Sequence, residues 1–153
     1  MKALIIDDTE YKIESLTGIL AECAFISQVR VARSFQSGVH TVKDYRPDVV
    51  LLDMSLPTSE RPSGELEGRT RIYGGREILA EMDFDELDAR VIIVTQFDHF
   101  GEPPHSVTLE TLLAQLQKSY PKLFVGGIYY SNVDTLWRHK LLTLLENIRQ
   151  KKI

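Results

Sequence analysis

The sequence predicts an α/β protein, a doubly wound parallel sheet with helices on both faces. Two observations predict it. Short apolar runs alternate with longer amphipathic stretches five times along the 153 residues, the pattern of a parallel sheet joined by right-handed helical crossovers. Three of the runs also finish in polar side chains: "ALIIDD" ends in Asp7 and Asp8, "VVLLD" in Asp53, and "VIIVT" in Thr95. Sheets of this kind bind ligands outside the carboxyl ends of their strands. The topology therefore gathers residues that lie far apart in the chain.

Each element has a local reason. Ala3 to Ile6 is too short an apolar run for a helix and reads as a buried strand. Ile13, Leu16, Ile19, Leu20 and Cys23 then recur at helical spacing, with Asp8 or Thr9 as the candidate cap. "SQVRVARS" alternates valine with arginine and reads as a strand near a sheet edge. Phe35, Val39, Val42 and Tyr45 mark a second helix, which "RPD" ends. "VVLLD" is apolar on both faces, hence central. "GGREILAEM" opens a third helix, "ARVIIVTQ" is the fourth strand, and Leu109, Leu112, Leu113 and Leu116 line a fourth helix. "KLFVGGIYYS" is the fifth strand. The last helix is expected to turn Val133, Leu136, Trp137, Leu141, Leu144, Leu145 and Ile148 inward. Residues 58–73 and 97–107 fit no element and are expected to be loops, the first longer than a usual connection.

Composition narrows the function. Hydrophobic residues make up 43% and charged residues 26%, an ordinary globular balance in a chain long enough for one domain spanning 1–153. A net charge of -4 gives no footprint for nucleic acid, and the basic Arg149, Lys151 and Lys152 read as a solvated helix end. The single cysteine, Cys23, has no partner for a disulfide and reads as a buried structural thiol. No signal peptide and no span of membrane length appears, so a cytoplasmic setting is expected, with no membrane partner.

The chemistry lies in the acids. Any one of them is what a helix cap or turn also uses. Three carboxylates at converging strand ends repel one another and need a reason to coexist. Oxygen-only ligands suit a hard cation such as Mg²⁺. Beside such an ion an aspartate is a competent nucleophile toward phosphorus, and Thr95 has a hydroxyl to offer a phosphoryl oxygen.

These motifs together, "IIDD", "VVLLDMSLP" with its Asp-x-x-hydrophobe-Pro pattern and "VIIVT", resemble the receiver domain of bacterial two-component response regulators. The resemblance runs from residue 2 to about 150. It implies a flavodoxin-like (β-α)5 fold with strand order 2-1-3-4-5. It implies Asp53 as phosphoacceptor and Mg²⁺ ligand, Asp8 as a direct Mg²⁺ ligand, Asp7 as a ligand through water, the backbone carbonyl of Ser55 as the third protein ligand, and Thr95 as the switch hydroxyl. It further implies a histidine kinase or phosphotransfer protein as donor, and no enzymatic activity. Output then goes to a separate protein or through self-association, since no output domain follows in the sequence.

The chain departs from the family in four places. A receiver has a lysine at the end of its fifth strand, and "GGIYYSNVD" puts Ser131 or Asn132 there, with Ile128 or Tyr129 at the position of the switch aromatic. Gln96 stands where a small residue usually follows the threonine. The other two departures are the insertions at about 58–73 and 97–107, both over the carboxyl edge. The first carries Arg61, Arg69 and Arg71, with Arg76 just beyond it, any of which is a candidate replacement for the lysine; the second carries His99 and His105. A phosphorylation-independent pseudo-receiver, acting as a binding module, is the competing expectation. An Mg²⁺-dependent phosphohydrolase is a third, opposed by an acidic pair that is adjacent rather than spaced Asp-x-Asp.

Overall fold

The computed structural model describes residues 1–60 and 69–151. In chain order its elements are β1 (Lys2–Ile6), α1 (Glu10–Glu22), β2 (Gln28–Ala32), α2 (Phe35–Tyr45), β3 (Val49–Leu52), β4 (Leu56–Pro57), β5 (Thr70–Arg71), α3 (Gly74–Phe84), β6 (Arg90–Thr95), β7 (His99–Phe100), β8 (Val107–Thr108), α4 (Leu109–Ser119), β9 (Phe124–Tyr129) and α5 (Leu136–Lys151). Five strands form one parallel sheet in the order β2-β1-β3-β6-β9. Renumbered among themselves, these are 2-1-3-4-5, the expected order. β3 is central and β2 lies at an edge, as their side-chain patterns require.

Alternation along the strands divides the core into two layers. Leu4, Ile6, Val50, Leu52, Val91 and Ile93 face the layer that α2, α3 and α4 fill with Val42, Ile78, Met82 and Leu112. Ala3, Ile5, Val49, Leu51, Ile92 and Val94 face the other layer, filled from α1 and α5 by Leu16, Leu20, Trp137, Leu141 and Leu145. Cys23 is buried at the end of α1, as expected of a structural thiol. No helix among the described residues is long and apolar enough to cross a membrane.

The two insertions are more ordered at their stems than their composition suggests. β4 pairs antiparallel with β5, so the 58–73 segment contains a strand and hydrogen-bonds back onto the chain before it. β7 pairs with β8 inside 97–107, and Phe100 is buried against the core. Both ladders are two residues deep, too short to leave an alternating signature in sequence. Glu60 fastens the first stem: its carboxylate accepts from the Arg33 amide and from the hydroxyls of Ser34 and Ser37, where α2 begins. An anion at a helix N-terminus is favoured there, and these bonds hold the Glu60 carboxyl below its ordinary range. The last helix also starts later than expected. Val133 and Leu136 are 92% and 80% exposed, because they precede or open α5 and point away from the sheet.

One close approach fixes α3 beneath the strand ends. A Cβ at Gly75 would lie 2.5 Å from the Asp53 carbonyl oxygen and 3.0 Å from the Met54 Cα, both backbone atoms that cannot rotate aside. The Gly75 amide uses that proximity to donate to the Met54 carbonyl at 2.8 Å. Gly75→Ala is therefore expected to lower unfolding stability by about 1–3 kcal/mol through overpacking. Gly18→Ala, in the exposed interior of α1 with open space around it, should raise it by up to about 1 kcal/mol. Denaturant midpoints of the two variants beside the parent check both signs.

Candidate functional site

The site begins with register. Ile6 of β1 pairs with Leu52 of β3, so the next residues on each strand, Asp7 and Asp53, leave the sheet side by side. The ladder continues one step past each strand: the Asp53 amide donates to Ile6 O at 2.9 Å and the Asp7 amide to Ala32 O at 3.0 Å. Both carboxylates are thereby set by backbone, not by loop. Asp7 is 1% exposed and Asp53 5%. Asp8 is exposed at the rim, and carboxylate oxygens of all three acids lie within 4.8 Å of one another.

A cation from α1 stands among them. Lys12 is wholly buried. Its Nζ lies 2.6 Å from Asp7 Oδ2 and 3.4 Å from Asp53 Oδ1, and it donates to the Val94 carbonyl at 2.6 Å. An ammonium has three protons, and here there are three acceptors. Asp7 also accepts the Thr9 amide through Oδ1 at 3.0 Å, which ties the first turn of α1 to the same carboxylate. Thr9 occupies the N-cap position, but its side chain makes no capping bond.

Burial still dominates the electrostatics of the Asp53 carboxylate. The Asp53 carboxyl is raised from 3.8 to about 7, first by burial and then by the Asp7 charge, against the pull of Lys12 and of the Met54 amide that donates to Oδ1. Asp8 is raised too, by burial and by Asp7. A pocket in which Asp8 and Asp53 are reluctant to ionise, with oxygen donors and one acid open to solvent, fits a hard, partly hydrated cation.

The other expected residues divide. Thr95 is fully buried at the end of β6, next to β3, and its hydroxyl accepts the Phe97 amide at 3.2 Å. The Ser55 hydroxyl is turned away to the Ile72 carbonyl, which leaves only its backbone for any ligand role. Gln96 accepts a hydrogen bond from the Tyr11 hydroxyl, bridging the start of α1 to the chain after β6. Of the candidate arginines among the described residues, Arg71 stacks on Phe35 and pairs with Glu77, Arg76 lies over Tyr73, and Arg69 is exposed; none of the three pairs with Asp7, Asp8 or Asp53. Arg61 lies outside the described residues. His99 and His105 are exposed, and His99 pairs with Asp98. At the fifth strand's end the register sets Tyr129 opposite Thr95. Tyr129 is half exposed while Ile128 is buried. The Ser131 hydroxyl accepts the Val133 amide.

Lys12 is the residue that the sequence reading missed. A signal was present: position 12 falls on the stripe 12, 16, 19, 20, 23 that α1 buries. A lysine on an apolar stripe is a charge that must find a partner.

No protein-family model matches the chain. An uncharacterised protein of Sinorhizobium fredii is 30% identical over 151 residues, covering 97% of each chain. The Detocs response regulatory protein DtcB of Enterobacter cloacae is 28% identical over 145 residues, covering 93% of this chain and 96% of its own. Among solved structures, the response regulator domain of Thermotoga maritima CheB superposes with a TM-score of 0.60 at 22% identity, over 98% of this chain and 94% of its own, which shows a shared fold.

The raised Asp53 carboxyl has a sign. Stability from its protonated form is fully present below pH 3.8 and is lost as pH rises through about 7. Without a divalent ion, Asp53→Asn should therefore be more stable than the parent at pH 8, by at most about 4 kcal/mol, and the difference should shrink toward pH 4. Urea melts of both proteins at the two pH values check this.

Proposed function

The chain belongs to the receiver family of two-component response regulators, and on that premise we propose that it accepts a phosphoryl group on Asp53 from a histidine kinase or phosphotransfer protein. The observation that carries the reading is the convergence of Asp7, Asp8 and Asp53 within 4.8 Å at the carboxyl edge, with Asp53 at the end of the central strand. In this reading one Asp53 oxygen attacks phosphorus, the P–N bond of the donor phosphohistidine breaks, and its electron pair leaves on the imidazole, which regains a proton from solvent. Asp53 Oδ1 is held by the Met54 amide and faces Lys12. The Oδ2 atom of Asp53 has no hydrogen bond or ion pair of its own among those of the described residues. Asp7, Asp8, Asp53 and the Ser55 carbonyl would hold Mg²⁺, which when bound would neutralise the negative charge that moves during transfer. The Thr95 hydroxyl, released from the Phe97 amide, would donate to a phosphoryl oxygen.

The protein is then a switch and not an enzyme. Its output is a changed surface read by another protein or a second copy. Phe97 and Tyr129, each about half exposed, sit beside Thr95 on neighbouring strand ends and are suited to report its state. The DtcB relative, named as a response regulatory protein, supports a regulatory role of this kind.

One observation favours the second reading, a pseudo-receiver that binds partners without phosphate. The Lys12 ammonium already balances Asp7 at 2.6 Å, so the pocket has a resident cation and could exist for that pair alone. The two readings part on a simple experiment. Incubated with Mg²⁺ and acetyl phosphate, and separately with a phosphorylated histidine phosphotransfer domain, the protein should gain the mass of one phosphoryl group, and Asp53→Asn should gain none. Folded protein that gains nothing from either donor would establish the pseudo-receiver instead.

A further inference from the structure

We propose that Lys12, delivered from the first turn of α1, is the phosphoryl-contact cation of this receiver, doing from a helix what the family does from the end of its fifth strand. The inference rests on Asp53 as the acceptor and deepens that reading.

Three observations carry it. The fifth strand supplies no charge at its end: Ser131 and Asn132 stand there, and Ser131 is engaged with the Val133 amide. Second, the described arginines of the first insertion have other partners or are exposed. Third, Lys12 Nζ stands 3.4 Å from Asp53 Oδ1 while fully buried. That separation is loose beside its 2.6 Å contacts to Asp7 and Val94 O. A phosphoryl group on Asp53 would bring two or more anionic oxygens to the same ammonium, and charge-assisted bonds to such oxygens are the strong ones. A long, flexible lysine stem reaches a new partner without backbone movement.

The same placement has a second consequence. Lys12 holds the carboxylate of Asp7, one of the three acids available to a divalent ion. The ammonium therefore opposes the ion when the acceptor is free and supports the phosphoryl group once it is bound. Removing its charge should move the two affinities in opposite directions. A residue needed only for folding would move them together or not at all.

The test uses beryllofluoride, which mimics a phosphoryl group on a carboxylate, and Mg²⁺ alone. Lys12→Gln removes the charge and keeps a donor for the Val94 carbonyl. Beryllofluoride affinity in saturating Mg²⁺, read by fluorine NMR, should fall by at least about tenfold, a loss expected for one charge-assisted contact. Mg²⁺ affinity, read by titration calorimetry, should rise. Lys12→Met takes its place if the glutamine variant fails to fold, with the same expectations. Unchanged beryllofluoride affinity in a folded variant, or a parallel loss of both affinities, would overturn the assignment of Lys12 while leaving Asp53 intact. Parent protein that binds no beryllofluoride would remove the Asp53 reading and this one with it.

Discussion

The architecture of the carboxyl edge depends on one ion cluster, Asp7 and Asp53 with the buried Lys12 ammonium between them. Two carboxylates on adjacent strands, almost wholly removed from water, would be strongly unfavourable with no cation near. Desolvating an ion costs several kcal/mol even in a relaxed protein. Lys12 returns part of that through Asp7, Asp53 and Val94 O. The arrangement constrains the chain around it. α1 must begin directly after the acidic pair, so that its first turn overhangs the strand ends, and β6 must lie beside β3 to offer the Val94 carbonyl. The Asp53 carboxyl nevertheless stays raised to about 7. One ammonium shared between two acids offsets burial only in part, and the remaining imbalance is a chemical reason for a further cation at this edge.

The surrounding loops hold that edge by backbone more than by charge. Gly75 brings α3 within van der Waals limits of the Asp53 carbonyl. Glu60 anchors the first insertion to the start of α2, and the Thr58 amide and hydroxyl both donate to the Arg69 carbonyl across its neck. Phe100 plugs the second insertion into the core, with Tyr73 and Phe97 at ring-centroid distances of 6.3 and 6.4 Å. These contacts explain why insertions at the mouth of the site need not disturb the acids: their stems are fixed, and Arg71 finds an aromatic face and a glutamate instead of the pocket.

The five alternating units, the helices on both faces and the converging acids were legible because they depend on period and on strand ends, which sequence shows directly; the strand order came only with the family resemblance. What escaped has physical causes. β4, β5, β7 and β8 are two residues each, so their pairing rests on long-range backbone bonds and not on any pattern. Val133 and Leu136 match a helical stripe yet lie out in solvent, since only the chain direction entering α5 decides which turn meets the sheet. Lys12 was hidden by the habit of assigning a lysine to the polar face; its position on the buried stripe of α1 argued otherwise. The insertions overhang the site and carry arginines, yet the cation that stands among the acids is Lys12, four positions beyond Asp8.

A lysine carried by α1 changes which parts of the molecule feel the site. Tyr11, next to Lys12, bonds Gln96 immediately after Thr95, and its ring lies 6.3 Å from that of Tyr130. Tyr130 is buried, packs on Trp137 of α5 at 4.7 Å and donates to Ser15 of α1. The first turn of α1 is thus joined to the ends of β6 and β9 and to the first turn of α5. The side chain next to Lys12 on that turn, Tyr11, is tied to Gln96, the neighbour of Thr95. An ammonium at the end of β9 would bring only that strand to the acids; here the aromatic cluster joins α1, β9 and α5 around the same edge.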